Sequence, residues 1–501
     1  MKKGVILSLF GFVENLLLNN YSLTKFLIEN SNPKLLEKIS KFKAYQIYKL
    51  AQVNVPAYKK FLKNKVYENI EEVPYTDKKN YIKQFSYGSR CLEGKFPKTG
   101  NIEESSGSSG SPTNWIRSLD EEDLLFKMAR FEFFYTFNAN KKKYIVLSGW
   151  SSGPWATGLK FCEIIERYCL VKNSTADPDN IIRTLKQLGP KNNYLIAGYP
   201  PFLKNLFDKT EINWKKYQIN IITGGESSSI AWKDYLRKKL GNNNAKIISS
   251  YGASDIDIGV GFETPFSEFI RKLALNNSKL NHALFNTSEN AILFQYNPLA
   301  HYIENTSNGD FTITILDPIT ASPKLKYNLH DFGGKISYPE MLDILKKFEP
   351  KKLKEFIKQN RTLKLPFLFV AGRKDGTISI GGNNIYPEQI SIAFQKSSCA
   401  DKINRFMLSS SNDSKLNTFF EIHVELKAGI KPNGTIKDEL EKEIFKELMR
   451  VNLEYSEYYH NHKENQTCLQ PHVKLYQFDK NPNFKKQDSA IKNKYILDYR
   501  H

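Results

Sequence analysis

The pattern of apolar residues changes along the chain and distinguishes an N-terminal, a middle and a C-terminal stretch. From residue 1 to about residue 85 the spacing is helical, as in LLEKISKFKAYQIYKLAQ, and VPAY ends that helix. From about residue 140, short apolar runs alternate with longer segments of helical period. After about residue 370 the pattern predicts three strands (RFMLSS, NTFFEIHVEL and HVKLYQF) and one amphipathic helix, IKDELEKEIFKELMRVN.

The middle stretch predicts strands that alternate with helices. The predicted strands are YIVLSGW, NYLIAGYPP, YQINIITGGE and AKIISSYGASD, and the helices between them are TGLKFCEIIERYCLV, FLKNLFD and SIAWKDYLRKKLG. This alternation implies right-handed crossovers and a mostly parallel sheet with helices on both faces. We therefore predict an α/β protein whose large N-terminal domain has mostly parallel sheets flanked by helices. A small, mobile α+β domain is expected to follow it.

Four polar or glycine-containing segments lie where these strands end. They are GW at 149–150, GYPP at 198–201, GGE at 224–226 and YGASD at 251–255. In open α/β sheets, ligands bind in the crevice outside the carboxyl ends of the strands. The four segments are therefore expected to converge on one binding crevice.

Composition and charge narrow the class of protein. The 501 residues are 40% hydrophobic and 25% charged, which is typical of a globular protein with a large core. The net charge of +20 would suit an anionic partner, but no dense basic run favours nucleic acid. Five cysteines (Cys91, Cys162, Cys169, Cys399 and Cys468) without a CxxC pair argue against a disulfide framework. We expect a cytoplasmic protein.

The first twenty residues, MKKGVILSLFGFVENLLLNN, have an apolar run that is too short to span a bilayer. Glu14 interrupts the run, and no small-residue cleavage site follows it. An amphipathic helix packed on the body of the protein is the favoured interpretation, and weak contact with a membrane surface is the alternative.

Two segments carry candidate chemistry. SSGSSGSPT at 105–113 suits either a flexible linker or an anion cradle of backbone N–H groups and hydroxyls, and it lacks the GKS/T ending of a Walker motif. Asp255 ends YGASD, where a carboxylate would hold Mg²⁺ on phosphates or cap a turn. His460, His462, Cys468 and His472 are residue types that suit zinc, but their irregular spacing argues against a metal.

The order of the motifs adds a resemblance to a known family. SSGSSGSPT, GGE, YGASD, YNLHDFG and GRKDGTISIGGNNIYPEQI follow one another, and together they resemble the core motifs of the adenylate-forming enzymes. This superfamily includes acyl-CoA synthetases, adenylation domains of peptide synthetases and luciferases. The similarity covers roughly residues 80 to 498 and is greatest to the phenylacetate–CoA ligase-like branch.

The resemblance implies roles for particular residues. Those expected to bind the phosphates of ATP are Ser105, Ser106, Gly107, Ser108, Ser109, Gly110 and Thr113. Those expected to border the adenine and ribose are Gly224, Gly225, Glu226, Tyr251, Gly252, Asp331 and Arg373. Asp255, where the family usually has glutamate, would be a catalytic carboxylate that holds Mg²⁺ on ATP. Trp150, Trp155 and Tyr199 would line the acyl pocket.

The resemblance also implies a division of the chain. Residues 1–85 would form the helical N-terminal region of the large domain, and residues 86–372 the core that binds ATP and the acyl group. Residues 373–376, with Asp375, would form a hinge to a C-terminal lid of residues 377–501. The catalytic lysine would be Lys492, with Lys494 as the alternative. The family's preceding glycine is replaced by Ile491.

The implied function is ATP-dependent adenylation of a carboxylic acid, with release of pyrophosphate. Transfer of the acyl group to a thiol, most simply that of coenzyme A, would follow. ATP, Mg²⁺ and coenzyme A are the expected cofactors, and the protein would be a monomer or homodimer that binds no nucleic acid. One alternative is transfer to an amine, a sugar hydroxyl or a carrier protein. The other is a non-catalytic binder of nucleotide or nucleic acid.

Overall fold

The computed structural model describes most of the chain. The described residues are 5–105, 113–152, 156–225, 228–286, 291–373, 378–380, 383–412, 418–461, 466–481 and 484.

Helices form the first part of the chain, as the apolar spacing predicts. They are α1 (Val5–Asn19), α2 (Tyr21–Asn30), α3 (Pro33–Asn54) and α4 (Pro56–Phe61). Asn20 caps α2 by accepting the backbone N–H of Leu23, and Asn32 precedes the proline that begins α3. None of the helices among the described residues combines the length and apolarity that a membrane crossing requires.

A hairpin carries the two ends of the serine-rich segment. Strands β1 (Gly100–Ser105) and β2 (Thr113–Ser118) pair antiparallel, so that Ser105 lies opposite Thr113. Helix α5 (Leu119–Phe137) begins directly after β2, with Ser118 as its N-cap. The hairpin therefore holds both ends of segment 106–112 at one place.

The parallel half of the large sheet follows the predicted alternation of strands and helices. Its elements are β3 (Tyr144–Ser148), α6 (Ala156–Ile165), β4 (Leu170–Asn173), α7 (Pro178–Leu188), β5 (Asn193–Ala197), α8 (Pro200–Asp208), β6 (Gln218–Thr223), α9 (Ile230–Leu240) and β7 (Ile247–Ala253). The strand order is β4-β3-β5-β6-β7, and all neighbours pair parallel. Residues 170–171 begin strand β4, whereas the sequence pattern placed them in the preceding helix.

The other half of the sheet is antiparallel. Its elements are β8 (Asp257–Phe262), α10 (Pro265–Leu275), α11 (Ser278–Phe285), β9 (Ile292–Gln295), β10 (His301–Asn305), β11 (Asp310–Ile315), β12 (Tyr327–Ile336), α12 (Tyr338–Phe348), α13 (Pro350–Gln359) and β13 (Phe367–Arg373). The order continues as β7-β8-β9-β13-β12-β11-β10 and gives one sheet of eleven strands. The mixed α/β class is thus confirmed, and within this sheet the described strands that pair parallel are the five at 144–253. Short links such as residues 254–256 allow only antiparallel pairing.

The C-terminal part forms a smaller α+β unit. Its elements are β14 (Ile378–Ile380), β15 (Asn383–Ile385), α14 (Pro387–Lys396), β16 (Ile403–Asn412), β17 (Thr418–Leu426), α15 (Gly434–Val451), α16 (Leu453–Asn461), α17 (Gln466–Leu469) and β18 (His472–Tyr476). Strand β17 pairs antiparallel with β16 and parallel with β18. The unit has its own apolar core, which draws only on residues 378–475.

Candidate active site

The ends of three parallel strands place Trp150, Tyr199, Gly224 and Gly225 against one another. The rings of Trp150 and Tyr199 meet edge to face, with centroids 4.6 Å apart. Gly225 has φ +76°, and a Cβ there would lie 2.6 Å from the Tyr199 ring, so only glycine fits. The sequence therefore correctly predicts that these loops converge. Whether Trp150 and Tyr199 contact an acyl group stays a prediction.

The next strand adds the residues expected around adenine and ribose. The hydroxyl of Tyr251, on β7, donates a hydrogen bond of 2.5 Å to Oδ2 of Asp331, on β12. Asp331 in turn lies opposite Arg373 in the β12–β13 pairing. A Cβ on Gly252 would lie 2.4 Å from the carbonyl oxygen of Asp257, because β7 and β8 approach closely there. Three strands that are distant in sequence thus contribute to one region.

Asp255 lies in the three-residue turn between β7 and β8 and is 6% exposed. Its Oδ2 atom accepts a hydrogen bond of 3.0 Å from the Tyr327 hydroxyl and lies 3.1 Å from Nζ of Lys78. The carboxylate is therefore held in place from two sides, through a single oxygen. This arrangement differs from a turn or helix cap, in which the carboxylate would accept nearby backbone N–H groups.

Lys78 is a site residue that sequence reasoning missed. Its Nζ atom lies 3.3 Å from Oγ of Ser105, so this cation stands between the start of the serine-rich segment and Asp255. The helical turn at 78–82 that carries Lys78 is capped by Asp77, which accepts the N–H of Asn80 at 2.6 Å. The preceding residue, Thr76, pairs with β12 through backbone hydrogen bonds of 3.1 and 2.8 Å. Lys78 is thereby fixed to the strand that carries Asp331.

His330 completes the attachment of this turn. Its Nε2 atom lies 3.2 Å from Oδ2 of Asp77, and its backbone has φ +62°. Burial would raise the pKa of Asp77, but the hydrogen bonds from His330 and from the Asn80 amide lower it below its ordinary value. Asp77 is therefore held as a carboxylate beside His330, the residue that precedes Asp331 in the chain. The YTDKKN sequence contains a capping signal, but nothing in it selects Lys78 among the 73 lysines and arginines.

Arg117 connects the hairpin to the Asp255 turn. Its Nη2 atom donates to the carbonyl oxygens of Ser254 at 3.0 Å and Ile256 at 2.8 Å, and its Nε atom donates to Glu103 at 2.8 Å. Burial acts against the charged guanidinium, but the carboxylates of Glu103, Asp257 and Glu121 outweigh it and raise the pKa of Arg117. The charged side chain thus fixes the position of the turn relative to β1 and β2.

A metal site can be tested against these residues. The described ranges contain no group of three or more histidine, cysteine, aspartate or glutamate side chains able to hold a metal ion. Mg²⁺ that arrives on a nucleotide is usually held by one or two carboxylates together with the phosphates. Asp255 fits that use, because both of its donors lie on Oδ2.

The histidine and cysteine residues at 460–472 belong to the C-terminal unit. The Nε2 atom of His472 lies 3.3 Å from the Thr467 carbonyl oxygen, and His462 is outside the described residues.

Several predicted site residues lie outside the described part of the chain. They are Ser106, Gly107, Ser108, Ser109, Gly110, Trp155, Glu226, Asp375, Lys492 and Lys494. The predicted roles of these residues remain predictions.

The comparison with solved structures identifies the fold. No family model and no curated protein matches this sequence. Among solved structures, 2-hydroxyisobutyryl-CoA ligase in complex with 2-HIB-AMP and CoA, in its thioesterification state, is similar with a TM-score of 0.60. The identity is 13%, over 94% of this chain and 91% of that chain. An open conformation of the same ligase gives a TM-score of 0.50 at 13% identity, over 92% of this chain and 91% of that chain. The chain therefore has the fold of the adenylate-forming ligases.

Proposed function

We propose that this protein adenylates a carboxylic acid at the expense of ATP and releases pyrophosphate. The observation that carries the proposal is the group formed by Lys78, Ser105 and Asp255, which adjoins the strand ends with the Tyr251–Asp331 pair. A cation, a hydroxyl and a carboxylate at one end of a sheet suit a nucleotide triphosphate with its Mg²⁺. The resemblance of the sequence motifs and the likeness of fold support the same function.

Each side chain has a role that follows from its charge and position. The ammonium of Lys78 would neutralise charge on the phosphates as the acid attacks the α-phosphorus. Asp255 would hold the Mg²⁺ that ATP carries, and Asp331 would accept hydrogen bonds from the ribose hydroxyls while Tyr251 fixes its carboxylate. Segment 106–112 would supply backbone N–H groups to the outer phosphates.

The acid would lie beside Trp150 and Tyr199. The Nε1 atom of Trp150 is buried and has no hydrogen-bond partner among the described residues. A buried indole N–H usually finds an acceptor, so a polar atom of the bound acid is a suitable partner. Binding acid and ATP side by side would make their encounter intramolecular and supply much of the rate.

The second half-reaction of the proposal is transfer of the acyl group from AMP to the thiol of coenzyme A. The similar 2-hydroxyisobutyryl-CoA ligase binds 2-HIB-AMP and CoA, which supports this acceptor over an amine or a hydroxyl. The proposal places the chain near the phenylacetate–CoA ligase-like branch. Asp375 is the proposed hinge, and Lys492 or Lys494 is the proposed lysine at the α-phosphate.

ATP–pyrophosphate exchange across a panel of aryl, fatty and amino acids, with Mg²⁺ and without coenzyme A, tests the first half-reaction. We expect exchange with one class of acid, and Lys78→Gln should abolish most of it. Lys79→Gln is the matched control, because Lys79 is the exposed neighbour in the same turn. The absence of exchange, together with the absence of ATP binding by calorimetry, would refute the proposal.

Once an acid is identified, the acceptor and the remaining residues can be tested. Product analysis with coenzyme A, hydroxylamine and a sugar acceptor would identify the acceptor. Asp375→Pro should block transfer while adenylate formation continues. Lys492→Ala should abolish adenylation and Lys494→Ala should not, and the reverse result would assign the role to Lys494.

A further inference from the structure

Over residues 10–30, the outward surface of the first two helices carries little charge, and Lys25, whose side chain is 39% exposed, pairs there with Glu29. At residues 10–30, every exposed side chain is apolar or is asparagine or serine. The exposed apolar residues are Phe12, Val13, Leu16, Leu23, Phe26 and Leu27, with Phe12 62% and Phe26 57% exposed. One residue in four of the whole chain is charged, so a surface of this extent with so little charge is unusual for a globular protein.

These apolar residues lie on one side of the molecule. The opposite faces of α1 and α2 both pack on α5, where Leu18 joins a cluster with Met128 and the Tyr21 ring lies 5.7 Å from that of Phe131. Because α5 lies beneath both helices, their exposed faces both point away from it. Residues 12, 13 and 16 on α1, and residues 23, 26 and 27 on α2, are spaced as one helical stripe each.

Helix α3 borders this surface, and the fully exposed charged residues on it are lysines. The Phe42 ring of α3 lies 6.2 Å from Phe10 of α1. Exposed Lys34 and Lys38 flank exposed Leu35 on the same helix. Across residues 10–60, all the exposed charged side chains are lysines: Lys34, Lys38, Lys41, Lys49, Lys59 and Lys60.

The acidic residues of the same region are turned away from solvent. Glu14 forms an ion pair with the buried Lys43, and Glu29 pairs with Lys25 at 3.7 Å. Glu37 is only partly exposed, with Oε1 buried. Within residues 10–60 the exposed charge is therefore of one sign, although the sequence there contains both signs. At the edges of the surface, exposed Glu71 pairs with Lys41, and exposed Asp123 pairs with Lys127, which contacts Asn15 of α1.

We propose that helices α1, α2 and α3 form a docking surface for an anionic phospholipid membrane. Apolar side chains beside an excess of lysines have the composition of helices that lie in the interface of a bilayer. Helix α1 has 15 residues and is about 22 Å long, so it would lie along the surface. Phe12, Leu16 and Phe26 would enter the boundary between headgroups and acyl chains, and Lys34 and Lys38 would face the phosphates.

A second copy of this chain is a less suitable occupant. A two-fold symmetric contact brings the same surface of both copies together, so the lysines of α3 would face an equally basic surface. Like charges placed across an interface oppose association, whereas anionic headgroups attract all of them at once. The charge of the surface thus favours the membrane over self-association. This inference does not depend on the proposed adenylation.

Vesicle flotation with the full chain tests the inference. We expect the protein to float with vesicles of phosphatidylcholine and phosphatidylglycerol, much less with phosphatidylcholine alone, and less at about 0.5 M salt, where the Debye length is only a few ångströms. The triple variant Phe12→Ser/Leu16→Ser/Phe26→Ser should weaken binding about ten-fold or more. Lys34→Gln/Lys38→Gln should weaken binding to the anionic vesicles only.

The matched control replaces exposed apolar residues elsewhere in the fold. Leu170→Ser/Ile357→Ser removes two such side chains, 73% and 44% exposed, and should leave flotation unchanged. All the substituted positions are on the surface, and tryptophan fluorescence would verify that each variant is folded. If the chain does not float with anionic vesicles, or if the triple variant floats as well as the original, the proposal is wrong. A dimer in sedimentation velocity that the triple variant abolishes, without vesicle binding, would show a contact between copies instead.

Discussion

Arg117 offers the most direct test of how the candidate site is held together. Arg117 is 5% exposed, and its guanidinium donates to the carboxylate of Glu103 and to two carbonyl oxygens of the Asp255 turn. Arg117→Met keeps a chain of similar length but removes the charge and all of these donors. Among the described residues, Lys160 is then the cationic partner that remains for the buried Glu103.

The expected loss of stability follows from these contacts. Removing one partner of a buried ion pair costs about 3–5 kcal/mol, because the other charge remains buried without full compensation. Arg117→Lys keeps the charge, but its single ammonium cannot reach the carboxylate and both carbonyl oxygens together. Two lost hydrogen bonds of about 1 kcal/mol each predict a cost of about 2 kcal/mol for the lysine variant.

Urea unfolding followed by tryptophan fluorescence measures these losses. All five tryptophans lie between residues 115 and 232, so the signal follows the large sheet and not the C-terminal unit. Glu103→Gln and the double variant complete a mutant cycle, and we expect coupling of about 1–3 kcal/mol between the two residues. If Arg117→Met lowers the free energy of unfolding by less than about 1 kcal/mol, the guanidinium does not brace the turn.

A second measurement separates positioning from stability. If Arg117 positions Asp255, Arg117→Lys should raise the Mg²⁺ concentration needed for half-maximal pyrophosphate exchange, at a temperature where the variant is fully folded. Lys233→Met, which disturbs a buried ion pair elsewhere, is the control and should leave that concentration unchanged. An equal shift in both variants would show a general effect of lower stability.

Three further predictions concern buried charges. Lys233 and Glu263 form an ion pair and are both 0% exposed. Lys233→Met should therefore lower the free energy of unfolding by about 3–5 kcal/mol in the urea experiment. An unchanged free energy of unfolding would contradict the pairing. Burial lowers the pKa of His423 to about 4, so the unfolded chain takes up its proton first as the pH falls. The free energy of unfolding of the C-terminal unit should therefore fall by about 3 kcal/mol between about pH 6.5 and pH 4. Hydrogen exchange of the β17 amides would measure this loss. His423→Gln should remove this pH dependence. Burial, with Arg117 and Arg90 nearby, lowers the pKa of Lys324 to about 7, and its Nζ lies 4.2 Å from the Trp115 ring centroid. Tryptophan fluorescence should titrate near that pH in the original chain and not in Lys324→Met, and a titration that persisted in the variant would assign it to another group.

The parallel half of the fold could be predicted because each of its elements has a local pattern. Runs such as YIVLS and NYLIA are followed by longer segments of helical period, and this change of period marks a crossover. The antiparallel half has no such signal. Strand β8 follows β7 after three residues, and all six residues of β11 are buried, so its sequence shows no alternation between faces. Pairing there depends on short links and on side chains from the other half of the sheet.

The residues of the candidate site also differ in whether the sequence alone could identify them. Gly225 and Gly252 stand out in the sequence because glycine is needed where a ring or another strand approaches closely, and that need is local. Lys78 carries no such signal, because its importance comes from Ser105 and Asp255, which are 27 and 177 residues away along the chain. Its position depends on the pairing of Thr76 with β12 and on the contact between Asp77 and His330.

Asp255 alone is an ambiguous signal in the sequence. An aspartate at the end of a strand serves equally well as a turn residue, a cap or a ligand for Mg²⁺. Its carboxylate is instead held by Tyr327 and Lys78, while Arg117 holds the carbonyl groups on both sides of it. A carboxylate that only closed a turn would not need partners from three distant elements. Because such partners cost desolvation and order, their convergence on Asp255 is better explained by a requirement to keep this group at a fixed position in the binding crevice.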